Sequence, residues 1–176
     1  MSCLIAVKKW VETVVIDLEL CPFARRKQDQ IRYFHSDASN EENLLNDLHR
    51  ELNLMEKDMS IETTLLVHPN ILQSFDDYNQ FLDVADALLE HLDLIGVFQI
   101  ASFHPQYQFS LTASQDAENY SNRSPYPMLH ILRESSLESA ITSFGDTAGI
   151  PERNIEHLNK LGTEKMKKLL ARCMTE

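Results

Sequence analysis

Glycine is scarce in this chain: four in 176 residues, and no two of them adjacent. A phosphate-cradling loop and a dinucleotide-binding turn both need clustered glycines, so neither motif is present. This argues against ATP-dependent kinases and NAD-dependent dehydrogenases of the common folds. No serine sits in a Gly-x-Ser-x-Gly elbow, which removes that hydrolase signature. Cysteine is sparse as well. Cys3, Cys21 and Cys173 are widely spaced and odd in number, which fits a reduced, cytoplasmic protein better than a disulfide framework. There is no Cys-x-x-Cys pair and no His-Glu-x-x-His pair to announce a metal. Apolar runs stay well short of the roughly 20 residues of a membrane span. Met1 to Trp10 lacks the charged-then-apolar order of a signal peptide. Basic residues are nearly missing from the middle of the chain: between Asp37 and Asp93 only Arg50 and Lys57 face 14 acidic residues. That balance excludes the basic footprint of a nucleic-acid binder and predicts solvated acidic helix faces.

What remains is an ordinary soluble composition, with 43% hydrophobic and 24% charged residues and a length that favours one domain, residues 1–176. Val7, Trp10, Val11, Val14, Val15 and Leu18 recur at three- and four-residue steps, predicting an amphipathic helix over 4–20. Ile31 to His35 reads as a short strand. Asn40 has the chemistry of an N-cap for a helix through about Lys57, with Leu44, Leu48, Leu52 and Met55 inside. Ile61 to Val67 is a strong strand, stopped by His68-Pro69. Ser74 and Asp76 open a second helix to about Leu92. Gly96 precedes an apolar strand, Val97 to Phe103, stopped by His104-Pro105. A long irregular stretch, Gln106 to Pro127, leads to helical segments expected at about 128–144 and 151–173. Strand, helix, strand, helix, strand implies right-handed parallel crossovers. The expected fold is a small α/β sandwich with a short, mostly parallel sheet of about three strands. The weaker alternative is an α+β fold in which the first strand or Tyr107 to Leu111 pairs antiparallel.

Ligands of parallel sheets collect beyond the carboxyl ends of the strands. His35, His68 and His104 each stand at such an end, and imidazole is the side chain best suited to proton transfer near neutral pH. Asn122 to Pro127, Asn-Arg-Ser-Pro-Tyr-Pro, is the densest polar segment, and its two prolines hold the backbone extended. Arg123 and Arg133 have the planar fork that grips carboxylate or phosphate, and a helix starting near Pro127 would add free amides. His130 and Glu134 would then share a helix face. In Cys21-Pro22-Phe23-Ala24-Arg25-Arg26 the thiol sits before a short helix and beside two arginines, a setting that favours thiolate.

Four blocks carry a likeness to a known family. They are Cys21 to Ala24, Thr64 to Pro69, Gln99 to Phe109, and Asn119 to Glu134. Together they resemble the uncharacterised bacterial family catalogued as domain of unknown function 1415, over nearly the whole chain. The resemblance implies no activity. It does imply that Cys21, His68, His104, Asn119, Asn122, Arg123, His130 and Arg133 belong to the family's hallmark blocks, and it leaves His35 outside them. The resulting expectation is a cytoplasmic enzyme acting on a small anionic molecule by hydrolysis or group transfer. His104 with His68 or His130 would move protons, and Cys21 is a candidate nucleophile. Arg123 and Arg133 would hold the anion, Asn119 and Asn122 would orient it, and Tyr107 or Tyr126 would line the pocket. Two alternatives stand beside it. One is a divalent-metal protein using His68, His104 and His130 with Glu134 or Cys21. The other is an interaction module using the acidic helices at 40–57 and 74–92.

Overall fold

A computed structural model describes residues 2–144 and 148–175. Four strands form one sheet: β1 (Ile31–His35), β2 (Thr63–Val67), β3 (Phe98–Phe103) and β4 (Met128–Arg133), in the order β1-β2-β4-β3. β1 and β2 pair in parallel, while β4 runs antiparallel to both β2 and β3. The α/β sandwich holds, with a sheet of four strands and mixed direction. β2 and β3 are not neighbours, because β4 fills the gap between them.

β4 occupies residues for which a helix was expected. Pro125-Tyr126-Pro127 keeps the chain extended, and Met-Leu-His-Ile-Leu then alternates its side chains across the sheet. Helix α4 (Glu134–Phe144) starts only after Arg133. Tyr107 to Leu111 pairs with no strand.

The period of two sorts the sheet into two faces. Leu66, Leu129, Ile131 and Phe98 pack beneath α2 (Glu41–Lys57) and α3 (Phe75–His91). Leu44, Leu48, Leu52 and Met55, spaced by four, four and three, are all fully buried there. Asn40 caps α2 by accepting from the Asn43 amide at 2.9 Å, and Ser74 caps α3. Their acidic residues lie largely on the outer face, with Glu41, Asp76, Asp83 and Glu90 exposed. Glu51 is the exception: it is buried and takes a two-pronged contact from Arg32 of β1 at 2.6 and 3.0 Å.

The opposite face carries Leu65, Val67, Met128 and Phe103. It is covered by α1 (Cys3–Trp10), α5 (Ile150–Leu161) and α6 (Thr163–Cys173). The predicted helix over 4–20 changes character partway. After Trp10 it widens into a π-helical stretch, Val11–Ile16, and ends with Glu19 at φ 56°. Such wide turns are rare and occur often at functional sites. Among the described residues no helix is long and apolar enough to cross a membrane.

Candidate functional site

A cavity of about 540 Å³ lies between this second face of the sheet and the first helix. Its volume falls in the range of small-molecule sites. Trp10, Val11 and Val15 form one wall, where the widened helical turn spaces them. Leu65, Ala101 and Phe103 belong to the floor. The chain from Cys21 to Lys27, including the short 3-10 helix Ala24–Gln30, closes the side. The lining is mostly apolar, so its few polar groups define what it can recognise.

His130 is the central polar group. It stands mid-strand in β4, opposite Leu65 of β2 and Ala101 of β3. Its ring packs beside Phe103 at 5.8 Å, and Phe103 meets the Trp10 ring edge-on at 5.3 Å. Thr63 Oγ1 lies 2.7 Å from His130 Nε2 and 2.6 Å from the carbonyl oxygen of Ile131. A carbonyl cannot donate, so the short oxygen–oxygen contact requires the threonine proton. Thr63 must therefore accept from His130, and Nε2 carries the imidazole hydrogen. Nδ1 is left as an acceptor with no hydrogen-bond partner among the described residues. Burial pushes the pKa of His130 down to about 4, because an imidazolium here would have little solvent. The group at the floor is thus a neutral imidazole of fixed tautomer. Trp10 adds a buried indole N–H that also has no partner among the described residues.

At the rim, Lys27 pairs with Glu62 at 3.1 Å. Arg26 also lines the cavity, and its exposed guanidinium has no partner among the described residues. Cys21 is half-buried in the same wall.

Apart from Arg133, which also lines the cavity, the other expected site residues fall elsewhere. His68 and His104 do come together, as their positions after β2 and β3 implied, but on the α2–α3 side of the sheet. Both rings pack against Tyr78, at 5.9 and 5.1 Å. Both are fully buried, and His130 lies across the sheet from them. His68 Nδ1 donates to the Ile71 carbonyl at 3.1 Å, leaving its Nε2 buried without a partner among the described residues. His104 Nε2 donates to the Leu72 carbonyl at 3.1 Å, while its Nδ1 accepts from the Gln106 amide at 3.0 Å. Both rings thus clamp the turn at 69–74, where Leu72 sits at φ 56°. Burial lowers both pKa values, that of His68 to about 4. His68, His104 and His130 form no common metal site, and no group of three or more His, Cys, Asp or Glu among the described residues is placed to hold a metal ion.

The arginines are committed to backbone. Arg133 is buried and donates to the carbonyls of Met55, Asp58 and Ile61, with its guanidinium over Phe98. It closes the C-terminal end of α2, so its fork is taken up by carbonyls that the helix leaves unpaired. Arg123 donates to Tyr107 O at 3.0 Å and Ser114 O at 2.7 Å and lies over the Tyr120 ring. Asn119, fully buried, accepts from Phe109 N and Thr112 and donates to Ala113 O. Asn122 donates to Ser102 O at 3.0 Å. These residues hold the loop between β3 and β4 onto the sheet. Tyr107 packs against Phe75 and Phe109, and Tyr126 against the core below α1; neither lines the cavity. No helix begins at Pro127 to offer amides, and Glu134 starts α4 while His130 stands in β4, so the two share no helix face.

Of the expected residues, His130, Cys21 and Arg133 line the cavity, and the Arg133 guanidinium is engaged by the carbonyls at the end of α2. Thr63, Trp10 and Arg26 were missed as site residues. Thr63 carried a readable signal, a hydroxyl beginning an otherwise buried strand. Trp10 carried none, since its helical spacing is that of any core residue.

The fold is a small α/β sandwich with a mostly apolar cavity between its sheet and first helix. The chain belongs to the family described as Protein of unknown function (DUF1415), whose model matches residues 3–168. No curated protein and no solved structure matches it.

Proposed function

We propose that this chain is an enzyme for a small anionic molecule, with the substrate held in the cavity and His130 Nδ1 as its proton acceptor. One observation carries the reading: a neutral imidazole, its tautomer set by Thr63, offers a free nitrogen on the floor of an apolar cavity. An imidazole held near pKa 4 by burial is a weak base. An anion bound in the cavity would favour the imidazolium and raise that value. The substrate's own charge would thus prime the base. With Nδ1 taking the proton of a water or hydroxyl nucleophile, the chemistry is base-assisted hydrolysis or group transfer.

The test is a screen of small carboxylates and phosphates read by the His130 ring signals in NMR. Turnover of esters and phosphoesters built on the binders follows. His130→Ala should lose turnover by about a hundredfold or more. Binding that leaves the His130 signals unmoved, or turnover indifferent to His130→Ala, would remove the proposal.

A further inference from the structure

Resting on that reading, we infer that the substrate is an apolar-bodied monocarboxylate bearing a hydroxyl or amino group, bound with its carboxylate outward at Arg26 and its donor inward on His130. Three features of the cavity carry this. Its walls around Trp10, Val15, Leu65 and Phe103 are apolar, so the bulk of the ligand must be apolar too. Its floor offers Nδ1 as a lone acceptor, because Thr63 holds the imidazole hydrogen on Nε2. An acceptor on a mostly apolar floor favours a ligand O–H or N–H and penalises a second acceptor there. The rim presents Lys27, already paired with Glu62 at 3.1 Å, and Arg26, unpaired among the described residues. Arg133 contributes no charge, since its guanidinium serves the end of α2. One available guanidinium balances one negative charge and offers a planar two-pronged fit to carboxylate. A phosphate dianion would keep an unbalanced charge at an apolar mouth whose other cation already has a carboxylate.

The experiment titrates the full chain with four probes: hydrocinnamate, its neutral amide, para-hydroxyhydrocinnamate and phenyl phosphate. The readouts are dissociation constants and the His130 ring signals. Hydrocinnamate should bind about fivefold tighter than its amide, the size expected of a partly solvated ion pair. Arg26→Gln should erase that margin and leave amide binding unchanged. Para-hydroxyhydrocinnamate, whose hydroxyl lies at the end remote from its carboxylate, should outbind hydrocinnamate in the wild type but not in His130→Phe. Equal binding of acid and amide, or tightest binding by phenyl phosphate, overturns the inference while leaving the cavity reading in place. Failure of all four probes to move the His130 signals overturns the cavity reading, and this inference with it.

Discussion

Thr63 accepts a hydrogen bond from His130 across the β2–β4 pairing, at 2.7 Å, because its own hydroxyl proton is engaged by Ile131 O at 2.6 Å. Two strands distant in sequence thereby fix one proton on one ring nitrogen. Long-range proton–nitrogen NMR should find His130 as the Nε2-H tautomer, neutral throughout the range near pH 7. Thr63→Ser keeps the hydroxyl and should keep that tautomer. Thr63→Val removes it and should leave a mixture of tautomers. An Nδ1-H tautomer in the wild type would contradict the arrangement directly.

The buried histidines couple stability to pH. His68 and His130 are held at about 4, and His104 is also lowered, each chiefly by burial, against an ordinary value of 6.5. The unfolded chain therefore binds more protons than the native one between the two values. Stability is complete above about pH 6.5 and falls as the pH drops towards 4. Each histidine contributes up to about 1.4 kcal/mol per pH unit in that window. Urea unfolding from pH 7.5 down to about 4.5 should show this slope. His68→Gln should shallow it. An unchanged midpoint across the window would mean that these rings are protonated in the native fold.

The sandwich was legible because its signals were local. Leu44, Leu48, Leu52 and Met55 mark a helix by spacing, and Asn40 and Ser74 cap helices as their chemistry demands. β4 was misread because Pro127 suits the first turn of a helix as well as an extended approach, and only the neighbours β2 and β3 decide between them. The site suffered from that error. On a helix, His130 would share a face with Glu134; on a strand, it turns away from Leu129 and Ile131 into the cavity. Arg123, Asn119 and Asn122 illustrate a second limit. Their types are those of a binding site, but polar side chains also satisfy the backbone of a long loop, and sequence alone does not separate the two uses.

Arg123 therefore has a structural test. Arg123→Ala releases the carbonyls of Tyr107 and Ser114 and the stack on Tyr120. Hydrogen exchange should accelerate at the Phe109 amide, which depends on Asn119 in the same loop. Amides in α2 should be unaffected. Protection equal to wild type at Phe109 would show that the loop does not rely on Arg123.

Arg133 gives the sharpest contrast between a structural role and an anion-binding one. Its guanidinium lies on the α2–α3 side of the sheet, over Phe98, with the carbonyls of Met55, Asp58 and Ile61 as its partners. Arg133→Met would leave those carbonyls without their charged donor in a buried setting. The expected loss is about 3 kcal/mol, or roughly 6–12 °C in Tm for a domain of this size. Arg133→Lys keeps the charge but lacks the fork that reaches three acceptors, so it should fall between the two. Binding of hydrocinnamate in the cavity should be the same in every variant that remains folded. If instead Tm held steady while carboxylate affinity fell, Arg133 would be an anion ligand, and the rim charge now assigned to Arg26 would have to be reassigned.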